Sequence, residues 1–111
     1  MKFDHRDLII YEAHLKDMTS HSSSQVDMPG TYLGFIDKDQ KGGIEHLIDM
    51  GYNAVELLPI FEFANIEIPY KNSELSVYND WNPYSFNHWG YMPTFFFAPE
   101  NNYSSNSVKD I

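Results

Sequence analysis

No cysteine occurs among the 111 residues, so neither a disulfide framework nor a thiolate metal site holds this chain. Basic residues are scarce as well: Lys and Arg total 7 against 16 Asp and Glu, for a net charge of −9 with no basic run. Phosphate backbones and anionic membrane surfaces are repelled by such a surface, which excludes nucleic acid and membrane as partners. Long hydrophobic runs are missing. Leu8-Ile9-Ile10 is far too short for a signal-peptide core or a membrane span, and the residues before it are too polar. Localisation therefore stays open, and is cytoplasmic if Met1 is the true start. The length permits one modest core but not a complete (β/α)8 barrel, which needs about 250 residues.

The chain is ordinary in its hydrophobic fraction, 42%, and rich in aromatics, 16%, so it is not composed like a disordered segment. Residues 8–15 read as a strand, because Leu-Ile-Ile-Tyr is a β-branched and aromatic run bounded by charges. Glu12 and His14 share one face of it by the two-residue period. Residues 16–39 read as a long polar loop with the turn pair Pro29-Gly30. Residues 41–50 read as a helix with Ile44, Leu47 and Ile48 as its apolar stripe, Asp37 or Asp39 as its cap and Gly51 at its left-handed exit. Residues 53–58 read as a second strand stopped by Pro59. Strand, helix and strand in that order predict a parallel βαβ unit.

Residues 59–106 hold nine aromatics between Tyr78 and Phe97 and no persistent period. A loop of this length is normally functional. Residues 107–111 look like the first turn of a further helix. Two parallel strands and one helix leave both sheet edges open, so the unit is expected to belong to something larger.

Five pieces, in order, carry a resemblance. They are Tyr11-Glu12-Ala13-His14, Gly30-Thr31-Tyr32-Leu33-Gly34, Gly43-Ile44-Glu45-His46-Leu47, Gly51-Tyr52-Asn53-Ala54-Val55-Glu56-Leu57-Leu58-Pro59, and Asn87-His88-Trp89-Gly90-Tyr91-Met92-Pro93 with Phe97-Ala98-Pro99-Glu100. Together they resemble the start of the catalytic barrel of α-amylase superfamily glycoside hydrolases (glycoside hydrolase family 13), of the pullulanase and isoamylase kind. The resemblance implies an α/β fold, an incomplete (β/α)8 TIM barrel consisting of the first βαβ unit and a long active-site loop, with residues 1–111 as the N-terminal fragment. It implies a partner, an α-glucan oligo- or polysaccharide, with the remainder of the barrel as the second partner. Debranching of α-1,6 bonds is favoured over amylase-like α-1,4 cleavage.

In that family an Asp nucleophile and a Glu acid/base work with retention, assisted by a further Asp. Those residues, and an Asp-x-x-x-Asn-His motif, follow later in the chain, so no catalytic residue is assigned here and the fragment alone is expected to be inactive. Tyr91 resembles the residue that stacks under the sugar beside the cleaved bond, since an aromatic face suits the C–H face of glucose. From composition alone it reads as a packed core tyrosine. Trp89 is a weaker substrate-binding candidate, and packing is the expected role of Trp81, Tyr84 and Tyr78, with Phe95, Phe96 and Phe97 as core or loop anchors. Glu12 and His14 read as a hydrogen-bonded structural pair at the barrel rim, and Glu56 and Glu62 have no acid/base role.

No cofactor is called for. The resemblance admits calcium in the full-length enzyme, without ligands identifiable in these residues. Asp37 to Ile48 superficially looks like a calcium loop, but places Lys41 fifth and Ile48 twelfth, where an EF-hand needs oxygen ligands. The five histidines show no metal-site spacing. Two alternatives from other classes are a non-catalytic carbohydrate-binding relic and a small interaction module whose aromatic loop is a protein-binding patch.

Overall fold

The computed structural model describes residues 4–64 and 86–106. Tyr78, Trp81, Tyr84 and the helical turn expected at 107–111 lie outside the described residues.

The first apolar run forms β1 (Ile10–Ala13) and the second β2 (Ala54–Leu57). They pair in parallel, from Ile10 opposite Ala54 to Ala13 opposite Leu57. Asn53 sets the register with its side chain: Nδ2 donates to the Asp7 carbonyl at 2.7 Å and Oδ1 accepts from the Ile9 N–H at 2.8 Å. The expected helix is present as Gly43–Asp49. It is the third in chain order, after α1 (Asp17–Ser20) and α2 (Tyr32–Phe35), and is called α3. Its cap differs from expectation, because Gly42 rather than Asp37 or Asp39 occupies that position.

Only part of the apolar stripe of α3 is covered. Leu47 is buried and Ile44 partly so, whereas Ile48 is 57% exposed. Ile48 lies one helical step, about 100°, from Leu47, and the core sits on the Leu47 side. The exit of α3 is a Schellman turn: Gly51 has φ +86°, its N–H donates to the Ile48 carbonyl at 2.9 Å, and the Tyr52 N–H donates to the Leu47 carbonyl at 3.0 Å.

Two segments read as loops are more structured than that. Residues 16–39 contain α1, a 3-10 turn at Ser22–Ser24 and α2. Hydroxyls sew this segment together. The fully buried Thr19 accepts the Gly30 N–H at 2.7 Å, and Ser24 donates to the Thr19 carbonyl at 2.8 Å. Thr31 caps α2, accepting from the Gly34 N–H at 3.1 Å.

The long aromatic stretch contributes β3 (Phe61–Phe63) and β4 (Pro93–Pro99), an irregular antiparallel pair with register shifts on both sides of Glu62. Phe95, Phe96 and Phe97 are not core anchors; they are exposed, Phe97 at 91%. On this irregular pair Phe96 and Phe97 lie edge-on against the Phe61 ring, at 6.0 and 5.9 Å, rather than against the core, and Phe97 stands in left-handed backbone, φ +66°. Among the described residues of this stretch, Phe63 and Tyr103 are the aromatics that enter the core, joining Leu15, Phe35 and Leu47.

Glu100, just after β4, is fully buried. Its carboxyl accepts the Phe63 N–H at 3.2 Å and the Asn102 N–H at 2.9 Å, capping the 3-10 turn Asn101–Tyr103. The result is a small α/β unit with two short sheets. Among the described residues no helix is long and apolar enough to cross a membrane.

Candidate functional site

Because β1 and β2 are parallel, their C-terminal ends lie on one side of the sheet. The Leu58 N–H donates to the Ala13 carbonyl at 2.9 Å and carries the ladder one step further. At that end opens a cleft of about 570 Å³, whose lining includes Glu12, His14, Asp17, Leu58, Trp89 and Tyr91. Trp89 and Tyr91, the two residues singled out from the sequence, are 55% and 54% exposed. Tyr91 is thus not the packed core tyrosine that composition alone suggests.

Gly90 puts both rings there. It stands at φ +75°, and a Cβ would meet the Pro59 carbonyl oxygen at 2.8 Å and the Phe63 ring at 2.9 Å. The backbone between Trp89 and Tyr91 is therefore seated against the exit of β2 and the first turn of chain beyond it, and the flanking side chains point away. Asn87 braces the turn, accepting the Gly90 N–H at 3.2 Å and donating to the Tyr91 carbonyl at 2.7 Å. Met92 follows in left-handed backbone, φ +64°, a conformation that non-glycine residues adopt at a cost.

Glu12 and His14 both line the cleft but are not bonded to each other: Glu12 is exposed and His14 is buried. This corrects the expected structural pair. His14 instead joins residues far along the chain. Its Nδ1 accepts the Asp17 N–H at 3.2 Å and its Nε2 lies 2.8 Å from the His88 carbonyl oxygen. That pattern places the ring proton on Nε2, which donates to the carbonyl. The Tyr103 hydroxyl lies 3.3 Å from the same nitrogen. The His14 and His88 rings stack with centroids 4.6 Å apart, and Trp89 meets both edge-on, at 5.8 and 5.2 Å. His88 Nε2 is 3.0 Å from the Asp17 carboxylate.

Burial, with Glu100 adding, pushes the Tyr103 hydroxyl up to about 12, so it is a neutral hydrogen-bonding group at ordinary pH. Asp17, His88 and Tyr103 escaped the reading of the sequence. Asp17 is only three residues from His14, but His88 and Tyr103 reach the pair across separations of 71, 74 and 89 residues, and no local spacing encodes that.

The fold has close counterparts among solved structures. The pullulanase of Anoxybacillus sp. LM18-11 complexed with maltotriose superposes with a TM-score of 0.70 at 28% identity, over 96% of this chain and 15% of that one. Pullulanase type I of Bacillus subtilis strain 168 complexed with maltose gives 0.67 at 33% identity, over 91% and 13%. Sequence relatives include isoamylases as well as pullulanases. Isoamylase SU1, chloroplastic, of Zea mays is 36% identical over 108 residues, 97% of this chain and 12% of the relative. The pullulanase of Bacillus subtilis strain 168 is 35% identical over 106 residues, 90% and 13%. No family model matches the chain. Over nearly its whole length the chain is therefore homologous to isoamylases and pullulanases, while spanning only about an eighth of those two relatives.

Proposed function

We propose that residues 1–111 form the N-terminal part of the catalytic (β/α)8 barrel of an α-glucan hydrolase of family 13, of the debranching kind, and supply one wall of its glucan cleft. In the full-length enzyme, catalysis proceeds with retention, through carboxylates on later strands. Tyr91 stacks beneath a glucose ring, with Trp89 as a secondary contact. The observation that carries this reading is the position of the two exposed rings in the cleft at the C-terminal ends of β1 and β2. Barrel enzymes build their sites from loops at that end. The maltotriose and maltose complexes of the related pullulanases support the choice of ligand. Ile9, Ile10 and Phe95 to Phe97, all exposed, are the apolar surface that the remainder of the barrel covers.

The test is titration of the protein with maltotriose by calorimetry or NMR. Tyr91→Ala is expected to weaken binding by about two- to tenfold, the worth of one stacked ring, while Tyr91→Phe keeps it. Equal affinity in Tyr91→Ala and the parent protein would refute the stacking role.

A further inference from the structure

His14, Asp17 and His88 each offer a ligand-type atom, and these atoms all lie within 4.8 Å of one another. We infer that they form a binding site for a divalent first-row transition ion of the zinc class, with His14 Nδ1, one Asp17 oxygen and His88 Nε2 as ligands. The inference is independent of the glucan reading.

Two of the three edges already have about the length expected between ligands of one ion; the third closes when the half-exposed His88 ring, stacked on His14 with centroids 4.6 Å apart and planes 16° from parallel, turns its Nε2 toward the ion. His14 Nδ1 is 3.5 Å and His88 Nε2 3.0 Å from the same Asp17 oxygen. Zinc bonds of about 2.0–2.2 Å set tetrahedral ligand atoms about 3.4 Å apart. Asp17 and His88 side chains are 48% and 45% exposed, so they have room to close the remaining edge around an ion. His14 is the fixed member, with its side chain 4% exposed. Its Nε2–H is held by the His88 carbonyl at 2.8 Å, which leaves the Nδ1 lone pair facing Asp17. A metal-bound imidazole characteristically anchors its other nitrogen in this way.

Coordination displaces the long hydrogen bond from the Asp17 N–H to Nδ1, 3.2 Å. Two imidazoles and one carboxylate suit zinc, cobalt or nickel, and disfavour calcium and magnesium, which take oxygen ligands. An ion here would tie the end of β1 to the segment that bears Trp89 and Tyr91, across 71 to 74 residues of chain.

The full chain, stripped with chelator, is titrated with Zn²⁺ by calorimetry and with Co²⁺ by visible absorption. One ion per chain is expected, with a Co²⁺ spectrum of low coordination number. His88→Gln and Asp17→Asn, both at exposed positions, are each expected to weaken binding about tenfold or more. His21→Gln, at an exposed histidine outside the cluster, is expected to leave it unchanged. Absence of saturable binding, an affinity in either cluster variant equal to the parent's, or loss of binding in His21→Gln would overturn the assignment.

Discussion

Glu100 offers the sharpest test of how the aromatic segment is held. Its carboxyl is fully buried and accepts two backbone N–H groups, those of Phe63 and Asn102. Glu100→Ala leaves both donors without that partner and opens a cavity where the side chain stood. A stranded buried donor costs about 1–3 kcal/mol. The Phe63 bond is buried and the Asn102 bond only partly so, so water can reach the second donor. The combined loss is therefore about 2–4 kcal/mol, enough to shift the folding equilibrium by about thirtyfold or more. Glu100→Gln keeps one acceptor oxygen and turns an amide NH₂ toward the other donor, for a loss of about 1–2 kcal/mol. Urea unfolding of the three proteins, followed by tryptophan fluorescence and far-ultraviolet circular dichroism, gives the ranking directly. A Glu100→Ala midpoint indistinguishable from the parent's would show that the buried carboxyl does not clamp β3 to the chain after β4.

Glycine substitutions should separate backbone strain from crowding. At Gly51, φ is +86° and nothing lies within 4 Å of an added Cβ, so Gly51→Ala is expected to lose about 1–2 kcal/mol from the left-handed backbone alone. Gly90→Ala adds collisions with Pro59 and Phe63 and should lose about 3 kcal/mol or more; equal melting temperatures for the two variants would contradict this. Tyr32 should give the protein an alkaline limit. Burial raises its hydroxyl above the ordinary value of 10.0, against a backbone hydrogen bond at Glu100 that lowers it and with the charges of Glu100 and Glu62 adding to the rise. Folding thus favours the protonated form. That contribution is fully present below about pH 10 and is lost as pH climbs through the folded value. Tyr32→Phe should flatten the fall in stability above pH 10 in a pH series of urea melts, and an unchanged slope would count against it.

The elements legible in the sequence are those specified by neighbours in the chain. β1 follows from a short β-branched and aromatic run, β2 from a short apolar segment stopped by Pro59, α3 from its apolar spacing, and its exit from Gly51. Tyr91 and Trp89 stood out as candidates through the resemblance of the Trp-Gly-Tyr segment, and the structure places both in the lining of the cleft. α1 and α2, at four residues each, are shorter than the window in which a helical period can be recognised. β4 hides its strand character behind three consecutive phenylalanines and a left-handed residue, so no two-residue alternation marks it. The cluster around His14 depends on the pairing of distant segments, which no residue spacing announces.

The two short sheets do not share a strand, and the cleft takes one side from each body of structure. Glu12 and His14 belong to the parallel pair; Trp89 and Tyr91 belong to the segment seated on Phe63 and leading into β4. Between the two bodies, behind the cleft, stands Tyr103, its ring 6.1 Å from His14, 5.9 Å from Tyr32 and 6.1 Å from Phe63. In mechanical terms it is a spacer wedged between the two sides. Tyr103 does not itself line the cleft, so trimming its ring is expected to change the spacing of the two sides while leaving every group that lines the opening in place.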